Sequence, residues 1–203
     1  MTITLHQGDL PAKLDLGKTV AVDTEAMGLN NRRDRLCLVQ VSSGDGMAHL
    51  VQIPPGTKSA PHLEALMGNP KVCKIFHYAR FDIAILKYHL GIDVEGVYCT
   101  KIASTLCRTF TDRHSLRELC RDLLDIELSK QQQSSDWGAK ELTQEQMVYA
   151  ANDVLHLHAI KKRLDEMLKR ENRLELAHKV MEFVPVRAEL DLAGWSEVDI
   201  FAH

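Results

Sequence analysis

The feature that most constrains this chain is a change of hydrophobic period along it. Between residues 20 and 91 short β-rich runs alternate with segments of helical spacing, and beyond residue 100 the helical period takes over. Strand and helix signals interleaved in one stretch predict an α/β architecture. VAVD (20–23) is a short β-rich run, and RLCLVQVS (35–42) alternates like a strand. MAHLVQI (47–53) is expected as its hairpin partner, across a turn made by Ser43, Gly44, Asp45 and Gly46. After the break at Pro54, Pro55 and Gly56, HLEALMG (62–68) predicts a short helix. VCKIFHY (72–78) predicts a buried strand, and FDIAILKYHLG (81–91) a helix closed by Gly91.

The second half predicts helices at 100–110 and 115–125, the latter opened by a capping box of Ser115 with Glu118. Residues 129–141 carry no period and are expected as an irregular loop. Thr143, with Gln146 three positions on, caps what is expected to be one long helix ending near residue 170. Residues 174–203 are expected as a helix followed by a tail, broken at Pro185 and Gly194. No linker separates that extension, so residues 1–203 are expected to form a single domain with a core at about 15–170.

Composition excludes more than it identifies. Hydrophobic residues make up 45% of 203, enough for an ordinary core. No apolar run approaches the roughly 20 residues of a membrane span. The start, MTITLHQGDLPAKLD, lacks the basic and apolar regions of a signal peptide, so a cytoplasmic setting is expected. Cys37, Cys73, Cys99, Cys107 and Cys120 are odd in number and show no C-x-x-C spacing, which predicts reduced, mostly buried thiols. The net charge of −3 hides a basic middle: residues 71–121 hold nine Lys and Arg against five Asp and Glu. A local positive face of that kind can meet phosphates although the chain as a whole is acidic.

Three elements carry chemistry. Asp23 and Glu25, at i and i+2 where a strand ends, project from one face, so both carboxylates can meet one cation. Asp82 falls in the first turn of a predicted helix, where an acidic residue also complements the helix dipole. Tyr149 and Asp153, at i and i+4, share a helix face, and the small Ala150 and Ala151 let that helix approach a sheet. The Tyr149 phenol can both donate and accept a hydrogen bond, which suits it to orienting water.

In order and spacing, VAVDTE, HYARFDIAIL and YAANDVLHL resemble the three exonuclease motifs of the DEDD superfamily, tyrosine branch. LSKQQQSSDWGAKELTQEQMVYAANDV (128–154) is similar to ribonuclease D in its D-W, L-T and Y-A-A-x-D-V series. The resemblance covers roughly residues 15–170 and implies a ribonuclease H-like fold, a mixed β-sheet flanked by helices with a helical C-terminal part. It implies Asp23, Glu25, Asp82 and Asp153 as ligands of two Mg²⁺ or Mn²⁺ ions, with Asp23 bridging and Tyr149 positioning the attacking water. In that scheme Glu25 and Asp153 complete the first ion's shell, and Asp82 supports the second.

The implied reaction is hydrolysis at the 3′ end of single-stranded RNA, giving nucleoside 5′-monophosphates, in tRNA or other structured-RNA processing. The same carboxylates would also serve a DNA exonuclease, and the fold alone would serve a silent nucleic-acid-binding scaffold; RNA and DNA part only at contacts to the 2′-OH. Candidate substrate contacts are Met27, Leu29, His77, Arg80, Phe81, Lys130 and Gln131, with Lys101 and Arg108 as further phosphate contacts. Met27 or Leu29 would supply the apolar wedge where the family usually has an aromatic. Trp137 is expected to pack the 129–141 loop. Residue 203 falls too early for the helical HRDC domains of longer ribonuclease D proteins, so grip on substrate is expected from this domain or from a partner.

Overall fold

The computed structural model of the protein describes residues 1–129, 131, 132 and 134–202. Six strands form one mixed sheet: β1 (Thr2–Gln7), β2 (Thr19–Ala26), β3 (Leu36–Ser42), β4 (Met47–Gln52), β5 (Cys73–Phe76) and β6 (Val97–Cys99). Their order across the sheet is β1-β4-β3-β2-β5-β6. β3 and β4 are antiparallel neighbours, as the hairpin signal predicts, and β2 is antiparallel to β3, while β1 pairs with β4, and β5 with β2 and β6, in parallel. β1 and β6 carry no usable sequence signal. β1 is a half-exposed edge strand, and β6 is three residues long, too short to display a period.

The helices are α1 (Pro61–Met67), α2 (Ala79–Leu90), α3 (Thr100–Cys107), α4 (Leu116–Leu124), α5 (Gln144–Leu155), α6 (Leu157–Arg170) and α7 (Leu174–Leu190). The expected capping boxes close at Ser115/Glu118 and Thr143/Gln146. Gly91 ends α2 in the left-handed region that glycine adopts without strain, at φ 68°. One face of the sheet packs on α1, α2 and the end of α7, through Val20, Val22, Leu63, Ile83, Leu86, Val184 and Ala188. The other packs on α3 to α6 and the start of α7, through Ala21, Ile75, Leu119, Ala151, Val154, Ile160 and Ala177. All five cysteines are unpaired, four of them buried.

Element ends shift by up to three residues from expectation, and two helix breaks come out differently. The single long helix after Thr143 is broken at His156, which leaves ideal helical geometry at φ −98° and ψ −11°. α5 lies on β2, β3 and β4 while α6 turns to pack on α3 and α4. His158 anchors the turn, its Nε2 lying 3.0 Å from the Thr19 carbonyl at the start of β2. Pro185, expected to break the C-terminal helix, sits inside α7. Proline removes one helical hydrogen bond, and here Met181, Val184 and Ala188, buried on both sides of it, hold the helix together. The second expected break is real: past α7 a wider helical turn, Asp191–Trp195, reverses at Gly194 with φ 106°.

Candidate active site

β2 sets the site by its pleat. Val20 and Val22 enter one core, while Ala21, Asp23 and Glu25 lie on the face covered by α5. The pairing register slips between Glu25 and Ala26, a bulge that bends the strand just where it delivers its second carboxylate. On α5, Ala150 and Ala151 are fully buried and admit the helix close to the sheet, with Tyr149 and Asp153 one turn apart on it. Carboxylate oxygens of Asp23, Glu25 and Asp153 all lie within 4.8 Å of one another. Asp82, in the first turn of α2, stands beside them and accepts a 2.6 Å hydrogen bond from the Thr24 hydroxyl.

Four carboxylates in so small and dry a space oppose one another's ionisation. Burial first, then Asp82, Asp153 and Glu25, hold the Asp23 carboxyl well above its usual range. Burial, with repulsion from Asp153 and Asp82, pushes Glu25 up to about 9. Burial lifts Asp153 to about 7, and burial with repulsion from Asp153 lifts Asp82 to about 7 against the Thr24 hydrogen bond. The Tyr149 phenol is raised too, by burial and by the charges of Asp153, Glu25 and Asp23, so it stays protonated and can donate. The donor set is all oxygen, and its burial and mutual repulsion outweigh the hydrogen bonds it receives, which fits hard divalent cations such as Mg²⁺ or Mn²⁺. A bound cation would reverse the sign of these shifts.

Two supporting residues escaped the sequence reading. Thr24, in the middle of the triplet, holds Asp82. Gln40 is fully buried on β3 opposite Asp23, and its amide donates to Asp23 Oδ2 at 3.3 Å. A lone glutamine inside the apolar run LCLVQVS was the available signal. Residues 135–139 are tied to α5 and to the sheet: Gln146 Nε2, on α5, donates to Ser135 Oγ and the Asp136 carbonyl at 3.1 Å. Gln52 Nε2 donates to the Ala139 carbonyl at 2.9 Å. Trp137 is 2% exposed and packs on Cys37, Leu38, Leu50 and Ala150, its ring 6.0 Å from that of Tyr149. It therefore braces Tyr149 from the buried side, as the packing expectation has it.

The candidate substrate contacts divide. Met27 and Leu29 are 53% and 89% exposed on the turn just after β2, available to a ligand. That turn is tight, because Gly28 passes so close to the Asp34 carboxylate that any side chain there would collide. Gln131 joins Tyr149, Asn152 and Asp153 around a cleft of about 360 Å³. Lys130 lies outside the described residues. His77 Nδ1 is 2.9 Å from Thr100 Oγ1, and burial with nearby Lys101 and His114 lowers it to about 3, which keeps the ring neutral. Phe81 packs against the core, and Lys101 sits 4.2 Å over the Tyr78 ring. Two expected phosphate contacts are committed elsewhere. Arg108 is buried, donating to Asp122 at 2.5 Å and to the Arg113 carbonyl. Arg80 gives its guanidinium to Asp191 and the Ser196 carbonyl.

Comparison with known proteins gives the family. A family model described as 3′-5′ exonuclease matches residues 8–169, which hold all four carboxylates and Tyr149. The chain belongs to the 3′-5′ exonuclease family. Within this family it is 35% identical over 156 residues to ribonuclease D of Gluconacetobacter diazotrophicus, a match covering 77% of the chain and 39% of that protein. The chain thus spans about two fifths of the length of the curated relatives it matches. A closer full-length likeness is NrnC of Brucella melitensis, solved with bound Mg²⁺: 50% identity, a TM-score of 0.96, and all of both chains covered. The same protein bound to pGG gives 51% identity and a TM-score of 0.97, over 100% of this chain and 99% of that one. Escherichia coli RNase D, at 24% identity and a TM-score of 0.74 over 84% of this chain and 45% of that one, shares the fold. The expected ribonuclease H-like exonuclease architecture is therefore the observed one.

Proposed function

We propose that residues 1–203 work as one exonuclease domain that removes nucleoside 5′-monophosphates from the 3′ ends of single-stranded RNA. The observation that carries this reading is the meeting of Asp23, Glu25 and Asp153, with their ionisation suppressed, beside Thr24-bound Asp82 and the protonated Tyr149. Divalent cations bound there, two in this reading, polarise a phosphodiester and acidify water. Asp23, Glu25 and Asp153 hold the first and Asp82 supports the second. Tyr149 donates to and orients the attacking water. Met27 and Leu29 offer apolar surface to the terminal bases, and the cleft beside Gln131 admits the strand.

The likeness to NrnC bound to pGG favours short RNA oligonucleotides as substrates over the structured-RNA and tRNA processing that ribonuclease D suggests. No helix among the described residues is long and apolar enough to cross a membrane, and the bacterial relatives favour a cytoplasmic setting.

The test is digestion of 5′-labelled RNA of graded lengths, with matched DNA, in Mg²⁺, Mn²⁺ and chelator. Metal-dependent shortening from the 3′ end, fastest on the shortest RNA, is the expected result. Internal cuts, or full activity in chelator, would overturn the reading. Preference for DNA would move the substrate class and leave the site intact.

A further inference from the structure

The matched family region ends at residue 169, yet the chain beyond it returns to the site. α2 carries Asp82 but begins without the usual support. Its N-cap residue, Tyr78, takes the left-handed conformation at φ 70°, and its side chain offers no capping hydrogen bond. A non-glycine residue held there is strained unless its surroundings fix it. What grips this first turn from outside is Arg80. Its guanidinium forks onto the Asp191 carboxylate through Nε and Nη2, the latter at 2.7 Å, and Nη2 also donates to the Ser196 carbonyl at 2.7 Å. Asp191 is only 10% exposed and faces a second cation, Arg187, at 3.3 Å. Arg187 in turn binds the carbonyls of Trp195, Ser196 and Val198, so the two arginines fold the 191–198 turn against α2.

We infer that Arg80 and Asp191 are positioning residues, a latch through which the C-terminal turn fixes the first turn of α2 and so the place of Asp82. This rests on the exonuclease reading above. Arg80 is two residues before Asp82 on the same turn, and Asp82 has one side-chain partner, Thr24, among the described residues. With the latch open, the Thr24 side chain and the backbone N–H groups of Thr24 and Asp82 must alone hold the Asp82 carboxylate against repulsion from Asp153 and Asp23. A misplacement of about 1 Å in such a site can cost up to roughly a hundredfold in rate.

The experiment compares Arg80→Ala, Asp191→Ala and the double variant of the full chain, at a temperature where melting curves show all three folded. Arg80→Lys and Asp191→Asn replace any that is not; lysine keeps the charge but loses the fork. Turnover and KM are read on a short 5′-labelled RNA, and Mn²⁺ binding is titrated calorimetrically without RNA. Each single variant is expected to lower kcat by the same factor, on the order of tenfold, with KM unchanged and Mn²⁺ bound more weakly. The double variant is expected to be little worse than either single one, because both break the shared Arg80–Asp191 pair. Wild-type kcat and Mn²⁺ affinity in Asp191→Ala would overturn the latch. So would a raised KM in Arg80→Ala alone, which would make Arg80 a direct substrate contact. If the wild-type chain cleaves no RNA, the exonuclease reading fails, and the Mn²⁺ titration alone decides the latch.

Discussion

Two largely enclosed acidic regions meet α2's first turn, and the protein treats them in opposite ways. Asp191 is given two guanidiniums, Arg80 and Arg187, and its charge is answered within the chain. Asp23, Glu25, Asp82 and Asp153 are given two neutral donors, Thr24 and Gln40, and each other's charge. An acid that serves the fold is paired with protein cations, because an unpaired buried charge is costly. An acid cluster left with repulsion and little compensation is set to take its cation from solution. The contrast separates structural from chemical carboxylates more sharply than burial does, since Asp191 is half-buried just as Asp23, Glu25 and Asp153 are.

The comparison can be broken experimentally, most severely by removing one carboxylate from each region. Asp153→Asn is expected to lower turnover by at least roughly 10²–10³-fold, the scale of losing one preorganised charge. The same change is expected to raise the melting temperature in chelator, because it relieves repulsion, whereas Asp191→Asn lowers it. Melting shifts of the same sign in both variants would erase the distinction. Next in size, Tyr149→Phe is expected to cost on the order of 10²-fold in kcat with Mn²⁺ binding unchanged, measured by rapid-quench kinetics and calorimetry.

The neutral donors come third. Thr24→Val and Gln40→Leu are each expected to weaken metal affinity or activity by about tenfold, as outer partners of metal ligands do; a Mg²⁺ titration of activity checks this. The smallest effect concerns stability. Folded carboxyls raised to about 7 at Asp82 and Asp153, and to about 9 at Glu25, bind protons that the unfolded chain has already released. The contribution of these carboxyls to the stability of the metal-free protein is therefore greatest at low pH and falls as pH rises from about 4 towards 9. Saturating Mg²⁺ should flatten that slope in thermal melts. A metal-free slope of the opposite sign would show that other groups dominate.

Local sequence carried much of this. The pleat fixed that Asp23 and Glu25 share a face, and the helix period fixed that Tyr149 and Asp153 do. Capping boxes at Ser115 and Thr143, the β3–β4 hairpin and the Gly91 helix end were legible because each is decided within a few residues. What tertiary structure alone decided are matters of partners. The break at His156 follows from the different neighbours of α5 and α6, and the continuity of α7 through Pro185 from packing on both sides. Thr24 and Gln40 became supports only when α2 and β3 were laid against β2. Arg80 looked like a free cation beside a motif, and its partner is 111 residues away in the chain. Hydrogen bonds and charge pairing depend on distance in space, and a sequence displays only the part of that distance that its own periodicities fix.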